Sequence, residues 1–143
     1  MENINRILYA EDNLNDIELT LSAFAEHNLA NAVDVVRDGQ EVLDYLYIQG
    51  KHKDRAPENP VVILLDIKMP KIDGIDVLKH IKQSEEFKSI PVVMLTSSQM
   101  ETDLVKSYEL GANAFVVKPI DFTEFIDTIK SIALFWAITN KTS

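Results

Sequence analysis

The sequence predicts a doubly wound α/β fold in which five strands and five helices alternate around a parallel sheet. Three observations carry this expectation. Short aliphatic runs recur along the 143-residue chain, and between them apolar residues fall at helical spacing. The third run, Val61-Val62-Ile63-Leu64-Leu65, is apolar throughout, as in a strand covered on both faces. Four of the runs end in polar residues, and strands that all point one way gather such residues at one edge of the sheet.

The elements follow in order. Arg6 to Ala10 reads as the first strand, followed by a helix from about Leu14 to His27 with Ile17, Leu21, Phe24 and Ala25 on one face and Asp12 or Asn13 as its cap. Ala32 to Val36 is the second strand, Asp38-Gly39 a turn, and Glu41 to about Tyr47 a helix carrying Val42, Leu43 and Leu46. The third strand ends at Asp66, and Gly74 opens a helix to about Ser84 through Val77, Leu78 and Ile81. Pro91 to Thr96 is the fourth strand. Met100 to Leu110 is a helix stopped by Gly111 at its C′ position, and Ala114 to Val117 is the fifth strand. A last helix begins near Asp121 and buries Phe125, Ile126, Ile129, Ala133 and Trp136.

Length and composition bound the rest. With 143 residues and 46% hydrophobic content, the chain suits one domain over 1–143, with a folded core of about 4–138, an extended loop at 48–60 and a tail at 139–143. It has no cysteine, so disulfides and thiolate metal sites are excluded. The start lacks a signal peptide's regions and no run reaches the roughly 20 apolar residues of a membrane span, so a cytoplasmic location is expected. A formal charge of −9 argues against nucleic-acid binding. The short basic cluster Lys51-His52-Lys53-Asp54-Arg55 reads as a solvated loop, with a docking patch as the alternative. His27, His52 and His80 share no metal-like spacing and are assigned no function.

The chemistry lies in the strand ends: Glu11 and Asp12 after the first, Asp66 at the third, Thr96 at the fourth and Lys118 after the fifth. The flavodoxin-like strand order 2-1-3-4-5, taken from the known repertoire of such folds rather than from periodicity, places the switch point between strands 1 and 3. Glu11 and Asp12 then stand beside Asp66. Three neighbouring carboxylates repel one another unless a cation intervenes, and Mg2+ suits hard oxygen ligands and phosphate oxygens. A carboxylate nucleophile near a cation, the Lys118 ammonium and the Thr96 hydroxyl has what it needs to accept a phosphoryl group.

Taken together, the Glu11-Asp12 pair, Asp66 before Met69-Pro70 and Asp73-Gly74, Thr96, Phe115 and Lys118-Pro119 resemble the CheY-like receiver domains of two-component response regulators over nearly the whole chain. The resemblance implies that a sensor histidine kinase transfers a phosphoryl group to Asp66. It implies Mg2+ held by Glu11, Asp12, Asp66 and the Lys68 backbone carbonyl, and a switch in which Thr96 moves toward the phosphoryl group and Phe115 rotates inward. The face formed by the fourth helix, fifth strand and fifth helix would change as a result. It also implies a cis Lys118-Pro119 bond and a protein that catalyses only its own phosphorylation and dephosphorylation, without being an enzyme in the usual sense.

Two departures add expectations. The connection 48–60 is longer than in CheY-like domains, and long loops are often functional. It is similar to that of the small response regulators serving cyanobacterial and bacterial phytochromes, as is the tail Leu134-Phe135-Trp136-Ala137-Ile138, so a phytochrome partner is expected. Phe122, Ile132, Phe135 and Ile138 widen the apolar surface of the last helix beyond one stripe. They either cover more core or form a partner or homodimer surface on the helix 4, strand 5 and helix 5 face. The Lys68 side chain is expected to shield the phosphoryl group from water. With no output domain after the receiver, the signal leaves through a downstream protein or a phosphotransfer protein.

The alternative function is a phosphorylation-independent receiver-like interaction module. A flavodoxin-like redox carrier lacks its phosphate loop here, since acids stand after strand 1. A phosphatase with an aspartyl nucleophile would want an acid where Lys68 stands.

Overall fold

The computed structural model describes residues 6–26 and 32–118, together with Thr123 and Asp127. Its elements are β1 (Ile7–Ala10), α1 (Leu14–Glu26), β2 (Val33–Val36), α2 (Gly39–Leu46), β3 (Val62–Asp66), α3 (Gly74–Gln83), β4 (Val92–Thr96), α4 (Gln99–Ser107) and β5 (Ala114–Val117). A single 3-10 turn, Gly50–His52, lies between α2 and β3. The five strands form one sheet in the order β2-β1-β3-β4-β5, every pair parallel. The expected order is therefore found.

The helix count is corrected. Four α-helices, not five, are present among the described residues. The fifth, expected from near Asp121, falls outside the described residues except for Thr123 and Asp127, as do Pro119, the aromatic tail and the apolar residues assigned to that helix.

Alternation along the strands divides the core into two layers. Leu8, Ala10, Ile63, Leu65, Val92 and Met94 pack with Val42, Leu46, Val77, Leu78, Ile81 and Val105 of α2, α3 and α4. Ile7, Tyr9, Val62, Leu64, Val93 and Leu95 face the other way, against Ile17 and Phe24 of α1. Every residue of β3 is buried, as its unbroken apolar run requires of a central strand.

Caps move the helix boundaries. Asn13 Oδ1 accepts from the Asp16 N–H, which settles the α1 cap in favour of Asn13. Asp38 accepts from the Glu41 N–H and Ser98 from the Glu101 N–H, so α2 and α4 begin earlier than their apolar residues alone predict. At its other end α4 stops before Leu110: Tyr108 is its C-cap, and Glu109 takes the left-handed conformation (φ 51°) expected of Gly111, which is left-handed too (φ 87°).

The basic cluster 51–55 is largely exposed, as expected, with Lys51, Lys53 and Asp54 facing solvent, but Arg55 anchors the 48–60 connection. Arg55 lays its guanidinium 4.0 Å from the centre of the Tyr45 ring and donates through Nε to the Tyr45 carbonyl (2.7 Å) and through Nη1 to the carbonyls of Ala56 (2.7 Å) and Glu58 (2.8 Å). Tyr45 Oη donates to Asp34, which also pairs with Arg6. Burial pushes the Asp34 carboxyl up, but the hydrogen bonds from Arg6 and Tyr45 outweigh it and hold its pKa below the usual range. The segment is thus stapled to α2 and the β2 edge by a planar cation on an aromatic face.

Candidate functional site

The carboxyl edge of the sheet brings Glu11, Asp12 and Asp66 together, each with a carboxylate oxygen within 4.8 Å of the others. Glu11 is held there because its N–H donates to the Val36 carbonyl (3.0 Å), extending the β1–β2 ladder past the strand end. It is 1% exposed and Asp66 7%, whereas Asp12 faces solvent. Lys118 reaches in from the end of β5: its Nζ lies 2.9 Å from Glu11 Oε1, 3.3 Å from Asp66 Oδ2 and 3.4 Å from Asp16 Oδ2.

The electrostatics follow from that crowding. Burial, the hydrogen bond with Glu11 and the Glu11 charge push the Asp66 carboxyl up to about 7, against the opposing pull of Lys118. For Lys118, burial disfavours the charge, but Glu11 and Asp66 outweigh it and hold the ammonium above its ordinary pKa. One lysine thus faces three acids besides Asp12, and the pocket favours more positive charge than the chain supplies. The donor set is all carboxylate oxygen on adjacent strand ends, which fits a hard divalent cation.

Local backbone fixes the Asp66 loop. Gly74 donates to the Ile67 carbonyl (2.7 Å), and a Cβ at Gly74 would lie 2.2 Å from the Asp66 carbonyl oxygen. Gly39 makes a similar approach on the far side, where a Cβ would meet the Ile72 carbonyl oxygen at 2.0 Å. Both glycines are required because backbone passes against backbone there.

Thr96 is fully buried at the end of β4, but its hydroxyl is engaged away from the acids. It shares a hydrogen bond with Thr102 Oγ1 (2.8 Å) and reaches the Val116 carbonyl at 3.5 Å. Phe115 is half-buried in register with Met94. Its ring lies 5.3 Å from Lys106 Nζ and lines a cavity of about 150 Å³ with Val105, Lys106, Glu109, Leu110, Gly111 and Ala112. The Lys68 side chain is 80% exposed and pairs loosely with Glu101 (3.8 Å), which also accepts from the Ser97 N–H.

Several participants carry no motif. Asp16, Thr102, Glu101 and Arg37 touch the site residues or their backbone; Arg37 Nη2 donates to the Asp12 carbonyl (3.0 Å). Asp16 was reachable in principle, since it stands one helical turn past Asp12 in the first turn of α1.

The sequence matches the response regulator receiver domain family over residues 7–130, and the chain belongs to that family. Among curated relatives, the probable methanogenesis regulatory protein FilR2 of Methanothrix harundinacea is 36% identical over 135 residues, covering 94% of this chain and 85% of its own. Response regulator Rcp1 of Synechocystis sp. is 35% identical over 133 residues, covering 93% and 89%. Among solved structures, the bacteriophytochrome response regulator AtBRR is 52% identical, with coverage of 94% and 96% and a TM-score of 0.86. Rcp1 has been solved in a Mn(2+)-bound form, 33% identical with a TM-score of 0.71 and coverage of 92% and 94%.

The chain is thus a CheY-like receiver domain, a phosphoacceptor rather than a conventional enzyme, and a near relative of phytochrome-associated response regulators. Its acidic cluster is consistent with a divalent-cation site, and the related Rcp1 has been solved with Mn(2+) bound. No helix among the described residues is long and apolar enough to cross a membrane.

Proposed function

We propose that Asp66 is the phosphoacceptor and that Glu11, Asp12, Asp66 and the Lys68 carbonyl hold Mg2+. The observation that carries this is the arrangement around Asp66: a carboxylate at the end of the central strand, 3.3 Å from a lysine ammonium and within 4.8 Å of two further acids. When bound, Mg2+ neutralises the acids and the charge that develops on the phosphoryl oxygens. Asp66 Oδ attacks phosphorus in line as the donor's P–N bond breaks, leaving the electron pair on the donor histidine. Lys118 stays paired to the carboxylate and stabilises the transferring oxygens. Thr96 exchanges Thr102 for the phosphoryl group, and Phe115, beside its cavity, turns into the space released. A phosphoryl group adds about −1.5 to −2 charges and so biases two packings of the β4–α4–β5 region.

The donor is a sensor histidine kinase, and likeness to AtBRR and Rcp1 supports a bacterial phytochrome in that role. Output runs through a downstream protein, a phosphotransfer protein or a second copy of the chain. Met100 and Leu104, one helical turn apart on α4 and 83% and 52% exposed, support an apolar contact on the outer side of α4. Incubation with Mg2+ and a small acyl phosphate tests the function: the intact chain gains the mass of one phosphoryl group, and Asp66→Asn gains none. Equal gain in the variant, or none in the wild type, contradicts it, the latter in favour of constitutive binding.

A further inference from the structure

The 48–60 segment and the acid pair meet through a short chain of polar contacts. Glu41, buried in the first turn of α2, divides its two oxygens. Oε1 accepts from the Arg37 backbone N–H (3.0 Å), while Oε2 faces His52 Nε2 (2.9 Å) and Lys51 Nζ (3.4 Å) of the 3-10 turn. Arg37 then extends its guanidinium onto the Asp12 backbone carbonyl (3.0 Å). The Glu11 N–H on the Val36 carbonyl closes the same stretch from the strand side. Contacts thus run from the Gly50–His52 turn through Glu41 and Arg37 to the Asp12 peptide.

The geometry points to Arg37 as a positioning residue that couples the 48–60 segment to the divalent-cation site. By holding the Asp12 carbonyl it sets the peptide from which the Asp12 carboxylate projects, so moving or covering the Gly50–His52 turn alters cation affinity and with it phosphorylation. This rests on the reading of Asp12 as a cation ligand. Arg37 is exposed, so its removal costs little packing. Its charge acts in the opposite direction to its hydrogen bond: by Coulomb repulsion alone, losing a guanidinium near the site tightens cation binding, whereas losing the positioning contact weakens it.

The opposed signs let one titration decide. Mg2+ affinity of the full chain is measured by calorimetry for wild type, Arg37→Ala, Arg37→Lys, His52→Ala and the Arg37→Ala/His52→Ala double variant, with thermal unfolding in metal-free buffer alongside. Arg37→Ala weakens binding about tenfold, within the lower range for groups that orient ligands, while metal-free unfolding is unchanged. Arg37→Lys keeps a donor and falls between. His52→Ala weakens binding less and adds nothing to Arg37→Ala, as members of one path behave. Unchanged or tighter binding in Arg37→Ala, or additive effects of the two substitutions, overturns the coupling while the proposed function stands. A wild-type chain that neither binds Mg2+ nor takes up phosphate overturns both.

Discussion

The Lys118 ammonium lies 3.3 Å from Asp66 Oδ2, joining the end of the last described strand to the end of the central one. It opposes the burial and the Glu11 charge that push Asp66 up. Lys118→Met should therefore raise the Asp66 pKa above about 7 and slow phosphorylation by acyl phosphate at neutral pH by at least about tenfold. Rates measured from pH 6 to 9 check the cause. An alkaline displacement of the profile is expected, and an unshifted profile would leave Lys118 as a transition-state contact alone.

Asp66 also makes stability depend on pH. Its folded pKa of about 7 lies above the unfolded value of about 3.9, so the folded chain binds this proton more tightly. The group's stabilising contribution is full below the unfolded value and is lost as pH rises through about 7. Asp66→Asn removes that loss. Urea unfolding in chelator should find the variant more stable than wild type at pH 8, with the gap closing toward pH 4. Saturating Mg2+ should restore the wild type, by about 2.7 kcal/mol at a hundredfold excess over its dissociation constant.

Gly74 tests the backbone. An alanine Cβ would meet the Asp66 carbonyl oxygen at 2.2 Å and the Ile67 Cα at 2.8 Å, neither of which yields as a flexible side chain would. Gly74→Ala is expected to destabilise the chain by about 1–3 kcal/mol or more in urea and to impair phosphorylation of the fraction that stays folded.

Thr96 shares a hydrogen bond with Thr102, which the proposed move toward a phosphoryl group would break. Thr102→Val keeps the shape and removes that partner, so the Thr96 hydroxyl gains more by turning to a phosphoryl group. A net bond worth about 1 kcal/mol predicts a several-fold higher phosphorylated fraction at fixed acyl phosphate concentration. A lower fraction would show that Thr96 does not make the move.

The Lys68 ammonium is exposed and loosely paired with Glu101. Shielding of the phosphoryl group requires it to leave that exposed pairing, which holds it by no more than about 1 kcal/mol. Lys68→Asn should shorten the phosphoryl half-life after donor removal, and an unchanged half-life would dismiss the shielding role.

What the sequence disclosed and what it hid have the same physical source. Glu11, Asp12, Asp66 and Lys118 were legible because parallel strands deliver their carboxyl ends to one edge whatever the intervening lengths. Arg37 and Thr102 were not, because their partners are chosen by side-chain reach across elements, which periodicity does not record; Asp16, one turn past Asp12, was within reach of the sequence. Arg55 was misjudged for a related reason. Beside lysines and an aspartate it looks solvated, yet the Tyr45 ring three residues before the α2–β3 connection offers it a face. The α4 end moved because Glu109 entered the left-handed region ahead of Gly111.

Tandem mass spectrometry of the chain after reaction with Mg2+ and acyl phosphate, fragmented to locate the modification, tests the central assignment most directly. The expected result is a phosphoryl group on Asp66 and nowhere else, absent when the cation is chelated. A phosphoryl group on Asp12, Asp73 or a histidine, or one that forms equally well without the cation, would contradict it.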